Sequence, residues 1–253
     1  MKILLVLAVA PALLLLAYVY HLDKLEKESK RLVVKLLFLG ALTVISAILL
    51  ELVGTWLLGA LGMEENTTLY NLLYCFLVVA CSEEAGKYFM MKKATWKNRE
   101  FNCLFDGVVY AVSVSLGFAL IENIFYVIDG GISVAVTRAL LSIPGHTMFA
   151  VYMGYFYGYA KHCDNLEDRT GVKKNLRKSF LAAVLLHGFY DFCLYEGSWI
   201  MVIIFLIFVV ASDIVTFIGL RKFARNDRMI VEETQEIMLD PASGQNEWNP
   251  GQL

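Results

Sequence analysis

The chain has 253 residues, of which 58% are apolar, and its 22 Lys and Arg against 24 Asp and Glu leave a formal net charge of −2; its mean hydropathy is +0.59. A soluble core cannot absorb that much apolar surface, so the composition excludes an ordinary soluble globule and predicts an all-α, polytopic helical membrane protein whose first partner is the lipid bilayer. The near-neutral balance makes no case for nucleic acid, and the five cysteines, Cys75, Cys81, Cys103, Cys163 and Cys193, lack CxxC spacing, so neither a disulfide framework nor a thiolate zinc site is expected.

Seven apolar runs follow in order, at about residues 3–20, 36–61, 69–91, 103–128, 132–159, 179–194 and 198–220. The segments between them alternate in basic content. Lys24, Lys27, Lys30, Arg31 and Lys35 follow the first run, Lys92, Lys93, Lys97 and Arg99 the third, Lys161 through Lys178 the fifth, and Arg221 through Arg228 the last, whereas residues 62–68, 129–131 and 195–197 carry no Lys or Arg. The positive-inside rule then predicts seven spans with the N-terminus outside and the C-terminus cytoplasmic. On this reading residues 1–222 form the membrane domain, with the first run a retained anchor, and residues 223–253 a mobile polar cytoplasmic tail.

Taken in order, Asp23 to Glu28 is a short charged linker, and Glu51, far along the second run, is expected at the outer interface and outside any site. The third run contains Ser82-Glu83-Glu84-Ala85-Gly86-Lys87, two adjacent acids and a lysine at membrane depth. An acid there costs at least about 2.5 kcal/mol, and two together repel unless partners or a shared proton relieve them. Lys87, at i+4 and i+3, can reach Glu83 or Glu84, which holds one acid ionised and leaves the other as a base. Gly86 allows a neighbouring helix to approach.

The fourth run opens on Asp106-Gly107 and carries Gly117, then Glu122-Asn123; the acid at 106 suits a helix N-terminus at the basic face. The fifth carries Arg138 and Pro144-Gly145-His146, where a proline kink beside the histidine is expected, then Ala150, Gly154 and Gly158 at four-residue spacing, a close-packing face. The sixth carries His187 and Asp191 at i,i+4, an acid placed to fix an imidazole.

The ordered set Glu83-Glu84-x-x-Lys87, Gly117-Phe118-x-x-x-Glu122-Asn123, Arg138 with His146, and His187-x-x-x-Asp191 resembles the PrsW family of intramembrane proteases, relatives of the CAAX-prenyl-protease and bacteriocin-processing group. The Asp23 to Glu28 linker is similar to that family's first loop, and the resemblance runs from about residue 20 to residue 195. It implies a membrane-embedded peptidase of the bacterial cytoplasmic membrane acting on membrane-anchored proteins such as anti-sigma factors. It also implies catalytic Glu83, Glu84, Glu122, His146 and His187, supported by Lys87, Asn123, Arg138 and Asp191. The prenyl-protease relatives place a histidine where Glu122 stands here.

Peptide hydrolysis needs a base to activate water, a group to meet the oxyanion and a donor to the leaving amine, and Glu83 or Glu84 with His146 and His187 supply these residue types. If all ionise, Glu83, Glu84, Glu122 and Asp191 outnumber Lys87 and Arg138, and zinc held by His146, His187 and Glu122 would cancel the excess. Shared protons would cancel it equally, giving a metal-free glutamic mechanism. Glu122 lies about seven residues outward of the middle of its run, roughly 10 Å, and joins such a site only if tilt or unwinding closes that distance. A transporter or proton channel is the alternative function, since such paths also use buried acids and histidines; no internal repeat supports it. Reporter fusions at Asn66 and Asp129 are expected to read as external and those at Lys97 and Asn165 as cytoplasmic; an internal signal at Asn66 overturns the span count.

Overall fold

The structure is a computed structural model, and it describes residues 2–230. Its regular elements are helices: α1 (Lys2–Leu22), α2 (Lys30–Ala60), α3 (Thr68–Leu73), a π-helix (Tyr74–Ala80), α4 (Cys81–Thr95), α5 (Asp106–Leu140), α6 (Ser142–Asn165), α7 (Arg169–Glu196) and α8 (Trp199–Arg225). Each predicted run falls on helix, α3, the π-helix and α4 together taking the third. Four stretches among the described residues are long and apolar enough to cross a membrane: Ile3–Leu22, Lys30–Ala60, Asp106–Asn165, which contains both α5 and α6, and Trp199–Arg225. The stretches containing α4 and α7 are not among them, and these two helices carry Glu83, Glu84, Lys87, His187 and Asp191.

Helix ends are set by side chains in the connections. Ser29 caps α2 by accepting from the Leu32 N–H, Thr67 caps α3 from Tyr70, and Ser198 caps α8 from Met201. Asp168 accepts from the N–H groups of Thr170 and Gly171 at the start of α7, and α7 ends on Gly197 at φ 62°, a left-handed conformation that favours glycine. The polar tail expected beyond residue 222 begins differently: α8 continues to Arg225, and Ile230 N–H donates to the Asn102 carbonyl at 2.7 Å. Residues 231–253 lie outside the described residues.

Two breaks redraw the fifth predicted run. Gly131, at φ 71° and ψ −155°, interrupts α5 and separates a long leg from the short segment 132–140 that carries Arg138. A new helix, α6, then starts at Ser142. Pro144 therefore sits in the first turn of α6, where no intrahelical partner awaits its missing N–H, and it helps to start a helix rather than kinking one.

Close helix contacts bring the polar side chains together. A side chain on Gly107 would strike the backbone of Gly154 and Gly158, so the spaced small residues of α6 pack on the start of α5. Gly117 of α5 lies against the Leu37 carbonyl of α2, and Gly86 of α4 against Thr43 and Ser46 of the same helix. Gly188 of α7 lies against the Phe76 ring of the π-helix. Outward faces of α2 and α8 show Phe38, Trp56, Ile207 and Ile218, a surface suited to lipid. Replacing Gly154 with Leu is expected to cost about 1–3 kcal/mol, read as a lower unfolding temperature in detergent. Gly59→Ala, where nothing lies within 4 Å of an added Cβ, is expected to show no such loss.

Candidate active site

The site begins where the backbone changes pitch. The seven residues of the π-helix widen the turn before Cys81, and the helix that follows directs Glu83, Glu84 and Lys87 into the bundle, all three buried. At i,i+4 and i,i+3 the Lys87 ammonium meets Glu83 Oε2 at 3.0 Å and Glu84 Oε1 at 2.8 Å. It also lies 4.0 Å from the centre of the Phe118 ring of α5. The pairing expected from spacing is present, with both acids engaged instead of one.

His146, in the second turn of α6, joins this group to α5. Its Nδ1 is 3.4 Å from Lys87 Nζ and its Nε2 3.0 Å from Glu122 Oε2. An ammonium cannot accept and a carboxylate cannot donate, so these partners favour the tautomer with its proton on Nε2 and leave the Nδ1 lone pair facing Lys87 and the two glutamates. Ser115 Oγ donates to the His146 carbonyl at 3.0 Å, fixing the start of α6 against α5.

His187 on α7 is held from both sides. Nδ1 lies 2.8 Å from Glu84 Oε1 and Nε2 3.2 Å from Asp191 Oδ2, while Phe149 stacks on the ring at 4.8 Å between centroids. The His146 and His187 rings are 5.6 Å apart, edge to face. Beyond His146, Glu122 Oε2 also pairs with Arg138 Nη2 at 2.8 Å. Arg138 Nε donates to Asn123 Oδ1 at 2.6 Å, and Asn123 Nδ2 donates to the Ala8 carbonyl of α1 at 2.7 Å.

All nine residues singled out in the sequence therefore lie in one connected network drawn from α4, α5, α6 and α7. The separation anticipated for Glu122 is closed as far as His146, which it orients as acids behind metal-binding histidines do. Among the described residues, the one group of three donors whose ligand atoms lie within 4.8 Å of one another is Glu83, Glu84 and His146. That differs from the expected set of His146, His187 and Glu122, whose ligand atoms do not all come within that distance of one another. Glu84 Oε2 is buried without a hydrogen-bond partner. Two carboxylates and an imidazole are donors that suit a divalent cation, and in this arrangement Lys87 Nζ stands among them, meeting Glu83 Oε2, Glu84 Oε1 and His146 Nδ1.

The two glutamates differ in access: the Glu83 side chain is 8% exposed and that of Glu84 0%. Glu122 and Asp191, at 21% and 20%, mark the more open side. One residue was placed elsewhere by its sequence position. Glu51 of α2 is half-buried, and the charges that act on it are those of Glu122, His187, Asp191 and Lys87. Its signal, an acid inside an apolar run, was the same one that marked Glu83.

Residues 28–214 match the profile of the PrsW family intramembrane metalloprotease. The chain is similar to curated proteins named Protease PrsW. It is 36% identical over 220 residues to that of Oceanobacillus iheyensis, covering 86% of this chain and 94% of the relative. It is 36% identical over 189 residues to that of Geobacillus kaustophilus, covering 74% and 77%, and 33% identical over 216 residues to that of Bacillus subtilis, covering 85% and 91%. No solved structure matches.

Because Lys87 pairs with both glutamates, its loss leaves two buried acids with no cation between them, whereas loss of Glu83 leaves Lys87 still paired with Glu84. Lys87→Met is expected to destabilise the protein by about 3–5 kcal/mol and Glu83→Gln by far less, as read from unfolding temperatures in detergent; equal losses would show that the ammonium does not hold the pair.

Proposed function

The chain belongs to the PrsW family of intramembrane metalloproteases, and from that premise we propose that it cleaves membrane-anchored proteins at a centre formed by Glu83, Glu84, His146 and His187. An anti-sigma factor or a similar regulator in a bacterial cytoplasmic membrane is the substrate class. The observation that carries this reading is the convergence of Glu83, Glu84 and His146, whose ligand atoms lie within 4.8 Å of one another inside the bundle. The curated relatives are proteases, which disfavours the transporter alternative.

Glu83 is the base, since its side chain is the less enclosed of the pair. It takes a proton from water as the water oxygen attacks the scissile carbonyl carbon, and returns it to the amine nitrogen as the C–N bond breaks. Lys87 holds the Glu83 carboxyl group in place at 3.0 Å. His187, fixed between Glu84 and Asp191, holds the Glu84 carboxylate in place through its Nδ1. Arg138 and Glu122 hold His146 in the tautomer whose Nδ1 faces the glutamates.

The donors that would hold a metal ion are Glu84 and His146, a carboxylate and an imidazole that suit zinc, with Glu83 beside them as the base. A bound ion would polarise the scissile carbonyl and lower the pKa of water. In the orientation set by the basic loops, the partly open side at Glu122 and Asp191 is the outer one, and the substrate segment enters there.

With a membrane-anchored peptide and purified protein in detergent, Glu83→Gln, Glu84→Ala, His146→Ala and His187→Ala are each expected to lower the rate by at least about 1,000-fold. Asp191→Ala should lower it only about 10–100-fold. Combining Glu84→Ala with His187→Ala should cost little beyond either alone, because the two groups share a hydrogen bond at 2.8 Å. About one zinc per chain that is lost with His146→Ala supports the metal centre; full activity in a zinc-free preparation supports the glutamate-only mechanism. Normal cleavage by both glutamate variants would sink the assignment.

A further inference from the structure

A second group of buried acids lies at the opposite end of α5, on the side of the basic loops. Sixteen residues of helix separate Asp106 from Glu122, about 24 Å at 1.5 Å per residue. Asp23 is 1% exposed, Glu28 4% and Asp106 0%. Three segments distant in sequence meet there: the α1–α2 linker, the α4–α5 connection and the stretch after α8.

The contacts among these segments are specific. Tyr110 of α5 donates to Glu28 Oε1 at 2.7 Å, and Tyr20 of α1 donates to the Glu28 carbonyl at 2.9 Å. Asp106 Oδ2 accepts from the N–H groups of Cys103 and Asn102 at 2.7 and 2.9 Å. Asp227 Oδ1 accepts from Phe105 N–H at 2.9 Å. Asn102 Nδ2 donates to Glu26 Oε2 at 2.8 Å, and Ser29 N–H to Glu100 Oε2 at 2.9 Å. In each of Asp23, Glu28, Asp106 and Asp227 the other oxygen (Oδ1, Oε2, Oδ1 and Oδ2) is buried and has no donor.

Glu28 Oε2 and Asp106 Oδ1 are two of these orphaned oxygens, and Tyr110, one turn along α5 from Asp106, holds the Glu28 carboxyl group against the start of that helix. Two carboxylates cannot hydrogen-bond, because neither has a proton to give. A metal ion is the other common way to join them, but no third donor of this cluster comes within 4.8 Å of both. We propose that Glu28 and Asp106 share one proton, and that this proton-binding site fastens the α1–α2 linker to α5 and the α4–α5 connection.

The titratable and charged groups around it are Asp23, Glu26 and Lys27 of the linker, Glu100 before α5, Asp106 and Tyr110 on α5, and Asp227 after α8. Acids predominate, so ionisation of the pair has little compensation. Burial pushes the Glu28 carboxyl up to about 8, the nearby Glu100 and Asp23 adding to it and the Tyr110 hydroxyl opposing it. An acid raised in the folded state contributes stability that is complete below its unfolded value of 4.5 and is lost as pH rises through about 8. The fastening is therefore closed in mildly acidic and neutral conditions and loosens in alkali.

The test uses the full chain in a detergent without carbonyl groups. Between about pH 6 and about pH 9 the unfolding temperature of the wild type is expected to fall by at least about 5 °C, while Glu28→Gln, whose amide supplies the missing donor permanently, loses that dependence. Infrared difference spectra at neutral pH are expected to show one protonated carboxyl band in the wild type that is missing from Glu28→Gln and from Asp106→Asn. The wild-type band requires no variant to be stable, since titrating it away in alkali reports the same proton. An unchanged pH slope in Glu28→Gln, or no band lost in either variant, overturns the shared proton. So does stabilisation by added calcium or magnesium that Glu28→Gln abolishes, which would make the pair a cation site.

Discussion

Everything at the centre of this protein is arranged around one buried ammonium. Lys87 Nζ lies within 3.4 Å of two carboxylates and an imidazole and below an aromatic ring. Removing such charges from water is costly, and their mutual attraction offsets the cost only when geometry is close and the remaining lone pairs find partners. That requirement accounts for the features around it. The π-helix sets the rotation of α4, Gly86 and Gly117 let α4 and α5 lie against α2, and the start of α6 is tied down through Ser115. Within this cluster Glu84 Oε2 is left buried without a hydrogen-bond partner.

Much of this was legible in the chain because polar groups are conspicuous against apolar runs. Glu83, Glu84, Lys87, His146, His187 and Asp191 could be picked out by type and spacing, and in the structure they touch. What spacing could not give was rotation and depth. The metal-binding trio expected from residue chemistry, His146, His187 and Glu122, ignores that two adjacent glutamates on one helical turn reach the same point as a facing histidine. Glu51 reads as an interfacial acid outside any site because of its distance along the run, yet the charges that act on it are those of Glu122, His187, Asp191 and Lys87.

The breaks in helix were the other illegible part. Pro144-Gly145 reads as a kink in a continuous run, and Gly130-Gly131 as a turn between spans. In the structure the glycine at 131 reverses the chain within α5 and the proline starts α6, so the residues between them form a short segment of their own. Local sequence names the breaking residues but does not say which side of each break packs against the core. The same limit applies at the opposite end of α5, where a linker that reads as a solvated charged stretch is drawn into the bundle by Tyr110, Tyr20 and the backbone of the neighbouring loops.

The reversal at Gly131 also bears on how the protein is built. Arg138 and Asn123 are 15 residues apart, whereas Glu84 and His187 are 103 apart. Contacts close in sequence need little chain entropy to form. The hairpin of α5 therefore carries the counter-ion of Glu122 within a short stretch of its own chain. Lys87 on α4 likewise meets Glu83 and Glu84 within one helix. Each half of the reaction centre thus brings its own cation, and the one negative charge left over on the glutamate pair is what the union of α4 with α6 and α7 has to accommodate.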